Sequence, residues 1–146
     1  MTVTKLTNAL EIQAAQKAFE ERVTPKVYAA HFSAIGAAFK VSSLIGKKHY
    51  IYVKCEMDGK VVGMAYGWPE ERGSTFYIQD IISAPGSHSG SAMVAWFCDK
   101  ANVGMETMRR VALTAANEKL QTDYAKPHYG LTLEKDGKGR MSKAVI

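Results

Sequence analysis

A strand, a small-residue loop and a helix follow one another in the middle of the chain, and this stretch constrains the fold more than any other. Thr75–Ser83 is rich in β-branched, aromatic and aliphatic residues, which is typical of a buried strand. Pro85–Ser91 is small, polar and glycine-bearing, so it predicts a turn. Ala92–Val103 has apolar residues at helical spacing among good helix formers. The sequence therefore predicts a strand–loop–helix unit.

A loop of this composition is suited to hold an anion. Its consecutive backbone N–H groups would point into the turn, with the positive end of the helix dipole behind them. His88 is the only large side chain that could block a phosphate there. Glycine and serine also make ordinary strand-to-helix turns, so the loop alone leaves both interpretations open. No lysine follows the last glycine, and no G-x-G-x-x-G fingerprint is present.

Length and composition indicate one soluble globular domain, spanning residues 1–146. With 47% hydrophobic and 23% charged residues, the chain has the balance of a folded, water-exposed protein. No apolar run approaches the roughly 20 residues of a membrane span, and the N-terminus lacks a secretory core. We therefore expect a cytoplasmic protein. Cys55 and Cys98 are expected to be reduced thiols, and the four scattered histidines predict no metal site.

The formal charge of +5 suits an anionic partner, but it is spread over both halves of the chain. A dispersed excess of this size fits a phosphate-bearing small ligand or an RNA surface. A solvated surface without function would carry the same charge, so the charge does not distinguish among a small ligand, an RNA partner and no partner.

The remaining patterns predict the order β α α β β β α β α β β. Strands joined by hairpins are expected to be antiparallel, and strands flanking the two later helices are expected to be parallel. The predicted fold is therefore α/β, with a mixed, twisted sheet covered by about four helices. Gly63 and Gly67 weaken the third strand or mark bulges in it. The elements are strand Thr2–Leu6, a helix capped by Asn8 with Glu11, a helix capped by Thr24, strands Tyr50–Met57 and Lys60–Trp68 joined by Asp58-Gly59, strand Arg109–Thr114, a helix from Asn117 to Pro127, and strands His128–Leu133 and Met141–Ile146.

Three short motifs lie on these elements. The fourth strand ends in Ile81-Ile82-Ser83-Ala84-Pro85, and the loop reads Ser87-His88-Ser89-Gly90-Ser91-Ala92. The last helix carries Asn117, Leu120 and Tyr124. With the order of elements, these motifs resemble the GCN5-related N-acetyltransferase (GNAT) family, whose patterns are L-x-V-x-P, Q/R-x-x-G-x-G/A and N-x-x-A-x-x-x-Y. The chain departs from them by Ser in place of the leading Gln or Arg and by Leu in place of Ala.

The resemblance implies acetyl-coenzyme A as cofactor and direct acetyl transfer to a primary amine in a ternary complex. A backbone N–H of the fourth strand would stabilise charge on the thioester carbonyl, and Tyr124 would protonate the departing thiolate. Tyr77 and Gln79 would face the acceptor. The residues implied for the cofactor are Ile81, Ile82, Ser83, Ser87, His88, Ser89, Gly90, Ser91, Ala92 and Asn117.

The general base is left open by the sequence. Counting back from Ser83 by strand alternation puts Gln79 and Tyr77 on the acceptor side, and neither is a strong base. Asp80 is the nearby carboxylate, but it belongs to the opposite face unless a bulge intervenes. The alternatives are Glu70, Glu71 and a water relay.

Three function classes are compatible with these residues. The first is an N-acetyltransferase acting on a small amine, a protein amine or an aminoacyl-tRNA. The second is an inactive binding or structural module with the same fold, favoured by Ser87 and the missing base. The third is a nucleic-acid-binding protein, which the absence of clustered basic and aromatic residues disfavours. No membrane partner is expected, and a homodimer formed through Met141–Ile146 is left open.

Overall fold

The computed structural model describes residues 1–22, 50–70, 74–84, 86–135 and 138–145. The predicted helix capped by Thr24, as well as Glu71 and Pro85, lies outside these residues. The elements follow the predicted order and are β1 (Thr2–Leu6), α1 (Ala9–Arg22), β2 (Ile51–Met57), β3 (Lys60–Pro69), β4 (Thr75–Ser83), α2 (Ser89–Phe97), α3 (Lys100–Val103), β5 (Arg110–Thr114), α4 (Glu118–Tyr124), β6 (Thr132–Leu133) and β7 (Arg140–Ala144).

The strands form a seven-stranded mixed sheet in the order β1-β2-β3-β4-β5-β7-β6. Strands β1 to β4 pair antiparallel, and β4 pairs with β5 in parallel, as predicted. Strands β5 and β6 are not neighbours, because β7 lies between them and pairs antiparallel with both. Strand β7 pairs along its whole length with β5, and on its other side β6 pairs with Met141 and Ser142 only, so the homodimer pairing that the sequence left open stays a prediction.

Each face of the sheet buries its own apolar cluster. On one face, α2 packs Met93, Val94 and Phe97 against β-strand side chains that include Phe76, and these four residues are almost fully buried. On the other face, α1 packs against the side chains of β2 and β3. The sheet is therefore covered by helices on both sides.

The side chains of β2 alternate between the two faces of the sheet. Ile51, Val53 and Cys55 belong to the cluster on the α2 face, and Tyr52 belongs to the cluster on the α1 face. No helix among the described residues is both long and apolar enough to cross a membrane.

The N-terminus of α1 has the predicted cap. The Asn8 side chain accepts a hydrogen bond from the Glu11 N–H at 2.9 Å, and the Glu11 carboxylate accepts from the Thr7 N–H at 2.7 Å. The Asn8 bond is the first half of the predicted capping box, whereas the Glu11 carboxylate bonds the N–H of Thr7, one residue before the cap, and not that of Asn8.

The predicted helix Ala92–Val103 is two helices. Helix α2 begins earlier, at Ser89, so three residues of the predicted loop are helical. It ends at Phe97, and α3 begins after Asp99, whose side chain accepts from the Ala101 N–H at 2.9 Å. The N-cap preference of aspartate therefore outweighs the continuous apolar pattern at this point.

A β-bulge in β4 decides which side chains reach each face. Tyr66 pairs with Asp80, but the next residue of β3, Gly67, pairs with Ile78, so Gln79 is an extra residue on β4. A Cβ atom at Gly67 would collide with the backbone of β4 and lie only 2.9 Å from the Ile78 Cα, so only glycine permits this approach. The prediction that Gly67 marks a bulge is confirmed.

We predict that Gly67→Ala lowers the free energy of unfolding by about 2–3 kcal/mol, because the new methyl group must displace backbone. Urea denaturation measures the change. The matched control is Gly59→Ala, where φ is +74° but no atom lies within 4 Å of the new Cβ, so only the backbone cost of about 1 kcal/mol is expected. Equal losses in the two variants would show that close packing does not require glycine at position 67.

Candidate functional site

Strands β4 and β5 separate in the middle of the sheet. Their parallel ladder runs from Thr75 and Arg110 to Ile78 and Leu113, whereas β4 continues to Ser83. Within the described part of the chain, no strand pairs with residues 79–83 on the side of β5. Backbone N–H and C=O groups in such an opening need partners from outside the sheet. The opening is therefore a cleft with backbone hydrogen-bonding groups along one wall.

The loop between β4 and α2 is held by three serine side chains. The Ser89 Oγ, fully buried, donates to the Val62 carbonyl at 2.9 Å and lies 2.5 Å from the Ser83 Oγ and 3.0 Å from the Ser87 Oγ. The Ser87 Oγ donates to the Ala84 carbonyl at 2.6 Å and lies 3.4 Å from the Ser89 backbone nitrogen. These hydroxyls are directed into the protein, so a contact of Ser89 with a ligand would come from its backbone.

Not every predicted N–H donor of the loop is available. The Ser87 N–H donates to the Ala84 carbonyl at 3.1 Å. In an α-helix, the first N–H group with a partner inside the helix lies four residues after the N-cap. The N-cap of α2 is His88, so this N–H group belongs to Ala92. His88 has a left-handed backbone with φ of 57°, and its side chain does not cap the helix. The donors left for an anion are therefore the N–H groups of residues 88–91. Among these, the Ser89 N–H already makes a long hydrogen bond, of 3.4 Å, to the Ser87 Oγ.

Tyr129 lies against the first turn of α2. A Cβ atom at Gly90 would collide with the Tyr129 hydroxyl oxygen and lie 3.3 Å from the ring carbon that bears it, so Gly90 makes room for this side chain rather than only for a ligand. The Tyr129 ring also meets the Tyr124 ring edge-on, with centroids 5.0 Å apart. The two tyrosines connect the end of α4 to the start of α2 beside the cleft.

Tyr124 and Asn117 occupy the two ends of α4. Burial raises the pKa of Tyr124 to about 12, with smaller contributions from Tyr129 and Asp123, so its hydroxyl stays protonated at neutral pH. The Asn117 Oδ1 accepts from the Leu120 N–H at 2.9 Å and caps the helix. Asn117 thus has the structural role of a helix cap, and its amide nitrogen is the group available to a ligand.

Asp80 lies on the face of α1, opposite to Ser83, as alternation predicts, because the ladder is regular between these two residues. The bulge at Gln79 brings Tyr77 to the same face as Asp80. The Tyr66 hydroxyl donates to the Asp80 Oδ2 at 2.7 Å, and this carboxylate is half-buried. Burial raises the pKa of Asp80 above its usual 3.8, and the hydrogen bond from Tyr66 opposes that shift. Burial, together with Asp80, raises the pKa of Tyr66, which keeps its hydroxyl a donor.

The predicted face shared by Tyr77, Gln79 and Ser83 is wrong. Tyr77 packs on Trp68 and lies on the α1 side, whereas Ser83 contacts Ser89 on the α2 side. Gln79 is the exposed extra residue of the bulge. Simple alternation does not hold across Gln79, because a bulge shifts the register of all residues beyond it.

Glu70 belongs to an ion-pair network and is not a free carboxylate. Arg140 donates to Glu70 and, at 3.2 Å, to Glu134. These interactions raise the pKa of Arg140, with the hydrogen bond to Glu70 as the largest cause. The guanidinium carbon lies 5.5 Å from the centroid of the Tyr77 ring, and the Tyr77 hydroxyl shares a 2.7 Å hydrogen bond with Thr114.

Sequence reasoning missed Tyr66 as a partner of the candidate base. The signal was present, because a bulge placed at Gly67 pairs Tyr66 with Asp80 and brings both side chains to one face.

The contacts of Tyr129 and Arg140 do not follow from any short-range pattern. Tyr129 meets Gly90, and Arg140 meets Glu70, so each contact joins residues on distant elements. Such contacts depend on the order of strands in the sheet, which local sequence does not determine.

The fold is similar to those of solved acetyltransferases. It matches a protein from Desulfovibrio desulfuricans described as a putative acetyltransferase of the GNAT family, with a TM-score of 0.62, 17% identity and 99% of each chain covered. It matches a chimeric spermidine N-acetyltransferase from Vibrio cholerae with a TM-score of 0.60 and 12% identity, covering 99% of this chain and 96% of that one. An aminoglycoside 6'-N-acetyltransferase complexed with coenzyme A matches with a TM-score of 0.56 and 11% identity, covering 100% and 98%.

The chain therefore has the fold of the GNAT acetyltransferases, and the fold expected from the sequence resemblance is confirmed. No protein-family model matches the sequence, and no curated protein sequence matches it either.

We predict that Ser89→Ala lowers the free energy of unfolding by about 1–2 kcal/mol, since it removes a buried hydroxyl that holds β3, β4 and α2 together. Ser91→Ala is the matched control, because the Ser91 hydroxyl makes only one exposed hydrogen bond to the His88 carbonyl, and a change within about 0.5 kcal/mol is expected. Equal effects in chemical denaturation would show that the buried serine cluster does not stabilise the loop.

Proposed function

We propose that this protein is an N-acetyltransferase that uses acetyl-coenzyme A to acetylate a primary amine. The observation that carries the proposal is the position of Asp80, a half-buried carboxylate on β4 beside the cleft where β4 leaves β5. The fold supports the same class, because acetyltransferases that act on aminoglycosides and spermidine share it.

The described residues fit coenzyme A at the cleft. The β5 side of β4 over residues 79–83 has backbone groups to bond the amides of the pantetheine arm, and the Asn117 side-chain nitrogen is a further donor. The first-turn N–H groups of α2 would bind the pyrophosphate, assisted by the helix dipole. Acetyl-coenzyme A supplies the activated acetyl group.

Asp80 would act as the general base. A primary amine has a pKa near ~10 and arrives as an ammonium ion, so it must lose a proton before it can attack. Burial raises the pKa of Asp80 toward the working pH and makes the carboxylate a better base than an exposed aspartate. The Tyr66 hydroxyl would act as a positioning group, since it holds one carboxylate oxygen and leaves the other for the amine.

Tyr124 would assist the leaving sulfur. With a pKa of about 12, its hydroxyl is a weaker acid than a thiol, so it would stabilise the thiolate by donating a hydrogen bond before any full proton transfer. The proposed mechanism thus divides the proton chemistry between Asp80 at the amine and Tyr124 at the sulfur.

We predict that Asp80→Asn lowers kcat/KM for acetyl transfer at least about 100-fold, because an amide cannot accept the proton. Asparagine still accepts the Tyr66 hydrogen bond, so affinity for coenzyme A by calorimetry and the melting temperature should be retained. Asp58→Asn, in the exposed β2–β3 turn, is the matched control and should leave the rate unchanged.

The pH profile provides a second readout of the same role. Activity requires the ionised carboxylate, so kcat/KM should fall as the pH decreases through the raised pKa of Asp80. Tyr66→Phe removes the hydrogen bond that lowers this pKa, and the acid limb should therefore move to higher pH. An acid limb that does not move in Tyr66→Phe would argue against Asp80 as the base.

A second candidate function is a binding module with no transferase activity. It is favoured by the Ser87 N–H, which is already bonded to Ala84, and by Tyr129, whose hydroxyl lies at Gly90. An active enzyme must tolerate both features in its cofactor site.

Calorimetric titration of acetyl-coenzyme A separates cofactor binding from catalysis, with Ser91→Glu as the test variant. The added carboxylate lies beside the N–H groups that would hold the pyrophosphate, and we expect at least about a tenfold loss of affinity. Ser91→Gln is the matched control and should retain binding. Glutamate in a first turn stabilises a helix, so the loss would not reflect unfolding. Unchanged binding in Ser91→Glu, or none by the parent protein, would contradict a pyrophosphate site on α2.

A further inference from the structure

Two rows of side chains cross β3 and β4 on the α1 face of the sheet. In the first row, Tyr66 pairs with Asp80. The second row lies one pleat further along, where Trp68 pairs with Tyr77 and Tyr50 packs on Trp68. The carboxylate of the first row is therefore adjacent to a surface of aromatic rings.

The rings of the second row form a continuous surface, which we call the ring surface (Tyr50, Trp68 and Tyr77). The centroids of Tyr50 and Trp68 are 5.1 Å apart with the rings nearly perpendicular, and those of Trp68 and Tyr77 are 5.6 Å apart. All three side chains are half-buried, in contrast to Tyr52 and Tyr66, which are buried. The ring surface thus retains accessible area while its geometry is fixed by ring–ring contacts.

Among the described residues, the charged groups that contact these two rows favour a cation, although the chain as a whole carries +5. Asp80 is bonded to Tyr66, and Arg140, which lies over Tyr77, is paired with Glu70 and Glu134. Asp80 accepts a hydrogen bond from Tyr66. Within the described residues, it forms no ion pair. One carboxylate is therefore left to attract one ammonium group.

Aromatic faces already bind a cation at this site. The Arg140 guanidinium lies over the Tyr77 ring at 5.5 Å, within the distance at which cation–π attraction operates. Trp68 and Tyr50 present the same chemistry next to Asp80, and tryptophan gives the strongest cation–π interaction among the side chains.

We infer that the acceptor is a monoamine on a flat, apolar skeleton, an arylalkylamine in chemical class, with its skeleton on the ring surface and its nitrogen at Asp80. This inference rests on the proposed acetyltransferase function and narrows its substrate. A polyamine would need several unpaired carboxylates, and an anionic acceptor such as an RNA end would be repelled by Asp80.

The test uses the fluorescence of Trp68 and does not require turnover. The chain has two tryptophans, and Trp96→Phe leaves Trp68 as the only tryptophan, whose emission is excited selectively at wavelengths that tyrosine does not absorb. We expect 2-phenylethylamine to change the emission saturably and to bind about tenfold more tightly than 2-phenylethanol, the neutral analogue, because the alcohol lacks the charge that Asp80 and the rings attract. Spermidine should bind more weakly than 2-phenylethylamine.

Variants separate the roles of the ring and of the charge. Affinities of the Trp68 variants are measured by calorimetry, because these variants lack the fluorescent side chain. Trp68→Leu should bind 2-phenylethylamine about tenfold more weakly, and Trp68→Phe, which keeps an aromatic ring, should lose less affinity. Asp80→Asn should weaken the amine and leave the alcohol unchanged. Equal binding of amine and alcohol, tighter binding of spermidine, or full affinity in Trp68→Leu would overturn the inference.

The outcomes also distinguish this inference from the proposed function. Acetylation of spermidine at an unchanged rate in Trp68→Leu would support the acetyltransferase function and contradict an arylalkylamine acceptor. The opposite outcome is tight binding of 2-phenylethylamine that depends on Trp68, with no acetylation when acetyl-coenzyme A is present. This outcome would support the amine-binding site and contradict the proposed activity.

Discussion

The early end of the β4–β5 ladder is the constraint on which the candidate site depends. Four residue pairs hold the two strands together, and beyond Ile78 the backbone of β4 leaves β5 with its polar groups along a cleft. Unpaired backbone groups cost free energy unless water or a ligand bonds them. The same strand ends in a loop whose buried serine cluster fixes the start of α2. The cleft and the helix N-terminus therefore form one continuous polar surface, which suits an extended ligand that ends in phosphates.

The bulge one residue beyond that ladder decides which side chains lie together beside the cleft. In a regular ladder Tyr66 would pair with Gln79, and Asp80 would point into the apolar cluster around Phe76. With the extra residue, the carboxylate lies at the end of the Tyr66 phenol on the other face. Gly67 makes this register possible, because any larger residue would collide with the strand opposite. Gly67 thus determines on which face of the sheet Asp80, the only carboxylate of β4, lies relative to Tyr77.

The sequence predicted those parts of the fold that local patterns determine. Thr75–Ser83, the Asn8 cap and the β2–β3 hairpin follow from composition and turn chemistry, and they agree with the structure. The break before α3 was missed, since one aspartate outweighed a continuous apolar stripe. The site was predicted in outline only. The roles proposed for residues 81–92 and for Tyr124 remain predictions. The common face predicted for Tyr77, Gln79 and Ser83 was wrong, because alternation does not hold across the bulge at Gln79.

The insertion of β7 between β5 and β6 affects how the protein is made. Both neighbours of β7 precede it in the sequence, so during synthesis β5 has a free edge and β6 has no partner until residues 140–144 leave the ribosome. The half of the sheet beyond β4 is thus completed last, by the longer-range pairing of β7 with β5 and by its short-range pairing with β6. Arg140 arrives with that strand and joins Glu70, which was made much earlier. The nascent chain therefore acquires this ion-pair network only after its seventh strand has emerged.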